Sequence, residues 1–255
     1  MTNRQKAILG AIVREYTETA QPVGSKVLVE KYGFEMSPAT IRTEMKALED
    51  EKFIEQPHTS AGRVPTSRGY RFFVDTMINY VDLARREQVK LENKLKQIRV
   101  NYDKVLKEAA SLMAQISGNA ALTEKDQEHA FSSGIANLLQ LPEFANVEKA
   151  CKLAEVFERL SEEIPEIDDK TASKKSGEVA VYIGPETKLT KELDCSLVIS
   201  NYQLPSGETG HIAIMGPTRM KYDKNISLVR YLAKLLGSSI FPVIIFVVLD
   251  ATKVI

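Results

Sequence analysis

The residues best suited to chemistry lie in segment 37–71, which is rich in hydroxyl groups and arginines. No acidic residue occurs between Gln56 and Val74, whereas Arg63, Arg68 and Arg71 all fall within that stretch. A phosphate backbone attracts such a segment, because each neutralised phosphate releases condensed counterions. The pattern therefore indicates a local surface that contacts nucleic acid.

The first part of this segment predicts a helix. Ser37 is a good N-cap and Pro38 suits the first helical position. Apolar residues recur at Ile41, Met45 and Leu48, which is one face of a 3.6-residue period. Polar residues on the other faces are candidates for contact with DNA: Thr40, Arg42, Thr43 and Lys46.

Three roles are open to Arg42, and helical phase alone does not separate them. It could form two hydrogen bonds with a guanine edge, worth about 1–3 kcal/mol of discrimination between bases. It could instead contact a phosphate, or pair within the protein with Glu49 or Asp50.

The same residues argue against an enzyme. The chain has three histidines, and neither a Ser/His/Asp arrangement, a Gly-rich phosphate loop nor a metal-ligand spacing is present in the sequence. His58 has no second ligand at a useful spacing, so a hydrogen-bonding role in a turn is favoured over a metal site. We expect no catalytic residue, no metal and no cofactor.

The elements around this helix predict a small DNA-binding domain. Two helices are expected before it, one from Arg4 to Tyr16 and a shorter one capped by Ser25 and ended by Gly33. After Phe53 the composition changes to that of a basic hairpin. Three helices and a hairpin make a winged helix-turn-helix, which sets its third helix in the major groove. We predict this domain over residues 1–80; the alternative is a helical domain that binds no nucleic acid.

Three motifs stand out in this domain: Ser37-Pro38-Ala39-Thr40-Ile41-Arg42, the run from Gln56 to Thr66, and Gly69-Tyr70-Arg71. They resemble the heat-inducible transcription repressor family of bacteria (HrcA), and the middle motif is long and unusual, which makes the resemblance specific. Two residues depart from the family: Thr43 stands where it usually has Asn, and Lys52 where a Gly usually precedes the hairpin, or wing. The three motifs and the helical pattern give the candidate DNA-binding residues Ser37, Thr40, Arg42, Thr43, Lys46, His58, Thr59, Ser60, Arg63, Thr66, Arg68, Tyr70 and Arg71.

The resemblance implies a sequence-specific transcriptional repressor of heat-shock chaperone genes. Such a protein binds a double-stranded inverted-repeat operator as a homodimer, and the GroEL chaperonin modulates its activity. A ligand-sensing winged-helix regulator is the alternative, and a ligand-dependent change in DNA affinity would distinguish it. A third class, an interaction module without nucleic acid, predicts no salt-dependent binding to DNA.

One long charged helix is expected over residues 81–117. Its apolar residues alternate spacings of four and three, as in a heptad seam. Such a seam needs a partner, which is either the same helix of a second subunit or the chain's own carboxy-terminal domain. A twofold dimer would place two recognition helices about 34 Å apart on the two halves of an inverted repeat. The candidate dimerisation residues are Leu91, Leu95, Ile98, Tyr102, Val105 and Leu112.

Residues 118–255 predict an α+β domain. The expected elements are strands at Glu178–Ile183, Cys195–Tyr202 and His211–Met215, helices at Val147–Leu160 and Ser227–Leu236, and an exposed loop at 165–177. The resemblance resumes here at Pro142-Glu143-Phe144 and at Gly216-Pro217-Thr218-Arg219-Met220. It implies a shortened GAF-like domain, because family members are longer and carry extra residues between positions matching about Ser117 and Ala130.

Composition and charge are those of a cytoplasmic protein. The formal net charge is zero, so any DNA-facing surface must be local. Cys151 and Cys195 are distant in sequence and are expected as buried free thiols in a reducing compartment. The first residues lack the apolar core of a signal peptide. The apolar run Ile240–Leu249 is shorter than the roughly 20 residues that span a bilayer, so we expect an extra strand there and no contact with a membrane.

Overall fold

The computed structural model describes residues 1–78, 82–98, 101–169, 177–204 and 207–237. The chain forms two compact units, of which the first comprises Met1–Asn79 with Thr218–Lys221 and the second comprises Tyr80–Pro217 with Tyr222–Ile255. The predicted strand at 240–249 lies outside the described residues.

The first unit is built from helices and one short hairpin. Its elements in chain order are α1 (Asn3–Thr19), α2 (Ser25–Tyr32), α3 (Pro38–Asp50), β1 (Ile54–Glu55), β2 (Val64–Pro65) and α4 (Ser67–Thr76). Strands β1 and β2 are antiparallel, with Ile54 opposite Pro65. Fully buried side chains from the first three helices, among them Ile12, Leu28 and Ile41, form the core of this unit.

Local signals explain where α2 and α3 begin. Ser37 caps α3 as predicted, since its Oγ accepts a hydrogen bond from the backbone N–H of Thr40 at 3.1 Å. Helix α2 differs from the prediction, because Gly24 is the N-cap and no side chain caps this end. Ser25 is instead the first helical residue.

A turn with a left-handed residue ends α3. Lys52 has a φ of +61°, a conformation that costs an L-residue energy. Its N–H donates to the carbonyl oxygen of Glu49 at 2.9 Å, and the Phe53 N–H donates to that of Leu48 at 2.9 Å. These two bonds form a Schellman motif, in which glycine is the usual left-handed residue. The motif turns the chain from α3 into β1.

The second unit is an α+β assembly around a five-stranded sheet. Its elements are α5 (Arg85–Lys96), α6 (Tyr102–Ser117), β3 (Ala120–Glu124), β4 (Ala130–Ser133), α7 (Ile135–Leu139), α8 (Val147–Glu158), α9 (Leu160–Asp169), β5 (Val179–Ile183), α10 (Lys188–Leu193), β6 (Cys195–Gln203), β7 (Thr209–Pro217) and α11 (Tyr222–Leu236). All neighbouring strands are antiparallel, in the order β4-β3-β7-β6-β5.

Helices cover both faces of this sheet. Alternate strand residues such as Leu122, Leu197 and Met215 share an apolar cluster with Leu153 of α8 and Ile164 of α9. Helices α6 and α11 contact the strands as well. On their side, the Thr123 hydroxyl of β3 donates to the carbonyl oxygen of Leu106 in α6 at 2.8 Å. The predicted β5, β6 and β7 are confirmed, whereas β3 and β4 were not predicted.

The single helix predicted over 81–117 is wrong, because two helices occupy this part of the chain. Helix α5 ends at Lys96 and α6 begins at Tyr102. Asn101 has an extended backbone (φ −147°, ψ 115°) and is the N-cap of α6. Its side-chain oxygen accepts hydrogen bonds from the N–H groups of Asp103 and Lys104, which fixes the start of a new helix.

The predicted heptad seam packs inside the second unit. Leu91, Leu95, Val105 and Leu112 are buried within the single chain, while Ile98 and Tyr102 are partly buried. Helix α5 contacts α6, and the Tyr231 hydroxyl of α11 donates a hydrogen bond to Glu92 of α5. The structure therefore favours the intramolecular alternative for these six residues over a dimer surface.

Two smaller predictions also change. Helix α9 runs through Asp169, so the predicted loop at 165–177 is helical in its first part. Cys195 is buried, which raises the pKa of its thiol to about 12, but Cys151 is exposed, contrary to the prediction. Among the described residues, no helix has the length and hydrophobicity of a membrane span.

Candidate nucleic-acid interface

Helix α3 presents a polar face that is open to solvent. Its apolar residues Ile41, Met45 and Leu48 are buried. The polar side chains predicted for the opposite faces, Ser37, Thr40, Arg42, Thr43 and Lys46, are all exposed. The Thr43 hydroxyl already makes one hydrogen bond within the helix, because it donates to the carbonyl oxygen of Ala39 at 3.3 Å.

The two cations on this face differ in how they are held. Lys46 lies 2.9 Å from a carboxylate oxygen of Asp50 and 3.3 Å from one of Glu49. The hydrogen bond with Asp50, followed by that with Glu49, raises the pKa of Lys46. Arg42 makes no ion pair or hydrogen bond with any residue that the structure describes, so the intramolecular pairing with Glu49 or Asp50 is not formed. Its guanidinium group is free to bind an external acceptor.

The loop between β1 and β2 is organised by one amide side chain. Gln56 Nε2 donates to the carbonyl oxygen of Thr59 at 2.9 Å and to that of Ala61 at 3.0 Å. His58, Thr59 and Ser60 form the exposed tip. These three candidates therefore lie on a loop whose backbone is held in one shape.

The backbone after this tip is fixed against the turn that precedes α2. Val23 and Arg63 exchange two backbone hydrogen bonds, of 2.8 and 2.9 Å. A Cβ atom on Gly62 would lie 2.5 Å from the carbonyl carbon and oxygen of Val23. Glycine is therefore needed at position 62 for this close approach.

The side chain of Arg63 points back to α3. Its Nη2 lies 3.2 Å from Glu49 Oε2, and only 18% of the side chain is exposed. Its Nε is buried without a hydrogen-bond partner among the described residues. Arg63 thus lies at the site, but it is less open to a ligand than Arg42.

A groove of about 340 Å³ lies between α3, the start of α2 and the hairpin. Ser25 lines it and is 9% exposed, and its hydroxyl has no hydrogen-bond partner among the described residues. The α2 N-terminus is uncapped by side chains, and a helix N-terminus favours negative charge. The remaining polar or glycine lining comes from Gly24, Arg42, Gln56, Ser60, Gly62 and Arg63. The groove has the chemistry to accept an anion such as a phosphate.

Helix α4 changes the role of two predicted residues. Tyr70 is 1% exposed and belongs to the core, so the prediction that it contacts DNA is corrected. Thr66 is the N-cap of α4: its hydroxyl accepts from the Gly69 N–H at 3.1 Å and donates to the carbonyl oxygen of Lys52 at 2.7 Å. A hydroxyl used in this way stabilises the fold rather than binding a ligand.

The arginines of α4 remain near the surface. Arg68 is exposed, and its guanidinium carbon lies 4.6 Å from the centroid of the Phe53 ring. Arg71 pairs with Asp75 at 3.2 Å. Four residues of this site were not predicted to belong to it, because their roles depend on the packing of separate segments: Gly24, Ser25, Gln56 and Glu49.

Comparison with known proteins gives a consistent family. The family model described as "HrcA protein C terminal domain" matches residues 73–226. The heat-inducible transcription repressor HrcA of Lachnoclostridium phytofermentans is 28% identical over 329 residues, covering 91% of this chain and 95% of the relative. The protein of the same name from Carboxydothermus hydrogenoformans is 29% identical over 337 residues, covering 93% and 97%. A crystal structure of a hypothetical protein matches in fold, with a TM-score of 0.70 and 21% identity over 93% of this chain and 98% of that one.

The two alignments, of 329 and 337 residues, are longer than the 255 residues of this chain, so the relatives contain residues without a counterpart here. This confirms the expectation that family members are longer. Because the family model covers more than half of the chain, the chain belongs to the HrcA family.

Proposed function

We propose that this protein is a sequence-specific repressor of heat-shock chaperone genes that binds double-stranded DNA at an inverted-repeat operator. The relatives from Lachnoclostridium phytofermentans and Carboxydothermus hydrogenoformans are named heat-inducible transcription repressors. In this proposal residues 1–80 are a winged helix-turn-helix, with α3 as the recognition helix and the β1–β2 hairpin as the wing. One observation carries it: Arg42 is exposed on α3, has no ion pair or hydrogen bond with a described residue, and lines a groove that suits a phosphate.

The proposed contacts follow from the geometry of α3 and the wing. A helix in the major groove directs its exposed side chains to base edges, and arginine pairs with guanine through two hydrogen bonds. Arg42 is therefore assigned to a base, and Thr40 and Thr43 lie on the same exposed face. The wing tip and Arg68 are assigned to the backbone, which positions the protein without reading sequence.

The remaining parts of the proposal rest on the family. The second unit is the shortened GAF-like domain, and the GroEL chaperonin modulates repression. An inverted-repeat operator calls for two copies of the protein, so we propose a homodimer. Since the heptad residues pack inside the second unit, the surface through which the two copies contact each other lies outside that seam.

The proposal is tested by removing the positive charge of Arg42, which has no partner among the described residues. Arg42→Ala should weaken operator binding by about 5- to 150-fold, the equivalent of 1–3 kcal/mol, and should relax specificity at one base position. A scrambled duplex should lose much less. Lys6→Ala is the matched control, because Lys6 is an exposed cation on α1. Equal losses on both duplexes for Arg42→Ala would contradict a role in reading bases.

A further inference from the structure

Glu49 lies where the recognition helix meets the wing. Its Oε2 is 3.2 Å from Arg63 Nη2 and 3.3 Å from Lys46 Nζ. The Glu49 side chain is 21% exposed, so these contacts are partly shielded from solvent. A single carboxylate therefore neutralises one cation of α3 and one of the wing.

The geometry around Arg63 keeps that contact in place. The Arg63 N–H donates to the Val23 carbonyl oxygen and the Arg63 carbonyl oxygen accepts from the Val23 N–H, and the backbone at Gly62 lies so close to Val23 that a Cβ atom there would clash. Lys46 is held by Asp50 as well as by Glu49. Arg42, one turn earlier on the same helix, has no such restraint among the described residues.

We infer that Glu49 is a positioning residue that determines specificity by holding Arg63 and Lys46 against α3. A cation released from Glu49 could neutralise a phosphate of any duplex. On the operator, base contacts fix the position of α3, so the released cation reaches a phosphate less readily there than on a duplex along which the protein can shift. Specificity is the ratio of operator to non-specific affinity, and that ratio falls when non-specific affinity rises more than operator affinity. The inference rests on the proposed function, because it assigns a role within the same DNA-binding site.

The test compares Glu49→Gln with Glu51→Gln in salt titrations on operator and scrambled duplexes. Both variants remove one negative charge at the same end of α3. Glu51 is exposed and forms no ion pair with a described residue, so it controls for the general loss of repulsion. The double variant Glu49→Gln/Arg63→Gln identifies the released cation.

For Glu49→Gln on the scrambled duplex we expect a salt slope steeper by about 0.9 to 1.8 and roughly tenfold tighter binding near 0.1 M salt, as for one or two added phosphate contacts. The operator should gain less, so its preference falls several-fold. Glu51→Gln should change both duplexes by the same factor and leave the slope unchanged. The double variant should lose most of the gain on the scrambled duplex, because Glu49 is the one carboxylate paired with Arg63 among the described residues, whereas Lys46 also pairs with Asp50.

Equal gains on both duplexes, no gain, or weaker binding by Glu49→Gln would overturn the inference. Thermal unfolding of each variant shows whether the fold is intact. If Glu49→Gln does not fold, Arg63→Gln alone decides: it should barely change the scrambled affinity when Glu49 withholds the cation, and a tenfold loss would contradict this. Failure of the wild type to prefer the operator would refute the proposed function, whereas the slopes on the scrambled duplex still decide the role of Glu49. If no form binds DNA at low salt, both are refuted.

Discussion

Replacing Lys52 with glycine should stabilise the end of α3 without changing a contact to DNA. Lys52 holds a φ of +61° at the left-handed position of the Schellman turn. This conformation destabilises the folded state by roughly 1–2 kcal/mol for an L-residue, and glycine removes that strain. Glycine also loses more conformational entropy on folding, which offsets about 0.5–1 kcal/mol of the gain. The expected net gain is therefore about 0.5–1 kcal/mol.

Hydrogen exchange measures this gain where it arises. The amides that close the turn, those of Lys52 and Phe53, and the last turn of α3 should exchange about two- to fivefold more slowly in Lys52→Gly, if they exchange by local opening. Local exchange is preferable to a single unfolding curve, because a chain of two units need not unfold in one step.

Lys52→Ala is the control for this prediction. Alanine removes the same charge and most of the same side chain but keeps the Cβ atom that makes a left-handed φ unfavourable. It should give no comparable protection. Equal protection in both variants, or faster exchange in Lys52→Gly, would refute the argument from backbone strain. Operator affinity should stay the same, since the substitution alters only the turn.

Three further outcomes are expected from the first unit. Gly62→Ala should lower the free energy of local opening of the wing by about 1–3 kcal/mol, because the new Cβ clashes with the backbone of Val23. Unchanged hydrogen exchange of the Val23 and Arg63 amides would contradict this. Thr66→Ala should cost about 0.5–2 kcal/mol by removing the cap of α4, which chemical denaturation would detect, whereas Thr66→Ser should keep most of that stability. The hydrogen bond from Lys31 lowers the pKa of Glu15. Its contribution is therefore complete above the unfolded-state pKa of about 4.3 and is lost as the pH falls through the lower folded-state value. Unfolding measured against pH should show a shallower acid limb in Glu15→Gln, and an unchanged limb would contradict the assignment.

Helix α3 could be predicted because its signals are local. Ser37 and Pro38 mark its start, and Ile41, Met45 and Leu48 mark its buried face, all within one segment of sequence. The exposed polar face could be inferred from the same pattern. Sequence could not predict that Lys46 forms ion pairs while Arg42 forms none with a described residue, because this depends on which acid each side chain reaches in three dimensions.

Residues of the wing motif proved harder to assign. Tyr70 and Thr66 stand beside basic residues in sequence, but α4 begins at Ser67 and turns Tyr70 into the core. Burial of this kind is decided by packing between elements, which sequence proximity does not report. From sequence Glu49 was considered only as a possible partner of Arg42, and the folded hairpin instead brings Arg63 to it.

The heptad pattern correctly predicted buried residues, but it predicted neither the break in the helix nor the surface against which they pack. Leu91, Leu95, Val105 and Leu112 are buried, as a seam requires, yet Asn101 interrupts the helix between them. The spacing of apolar residues carries no information about which surface buries them.

Strand β3 escaped prediction because it ends in buried polar residues. Thr123 bonds to the backbone of α6, and Glu124 pairs with His211 of β7 at 3.0 Å. Burial raises the pKa of Glu124, and the hydrogen bond with His211 opposes that rise. Polar residues such as these resemble a loop when only the sequence is considered.

The most direct test of the DNA-reading role is a salt titration of the wild-type protein on an inverted-repeat operator and on a scrambled duplex, with the mass of each complex measured by light scattering. We expect an operator preference of at least about 10³-fold, with two chains on each operator duplex. Equal binding to both duplexes with the same salt slope would mean that only phosphates are contacted, and would contradict the assignment of Arg42 to a base.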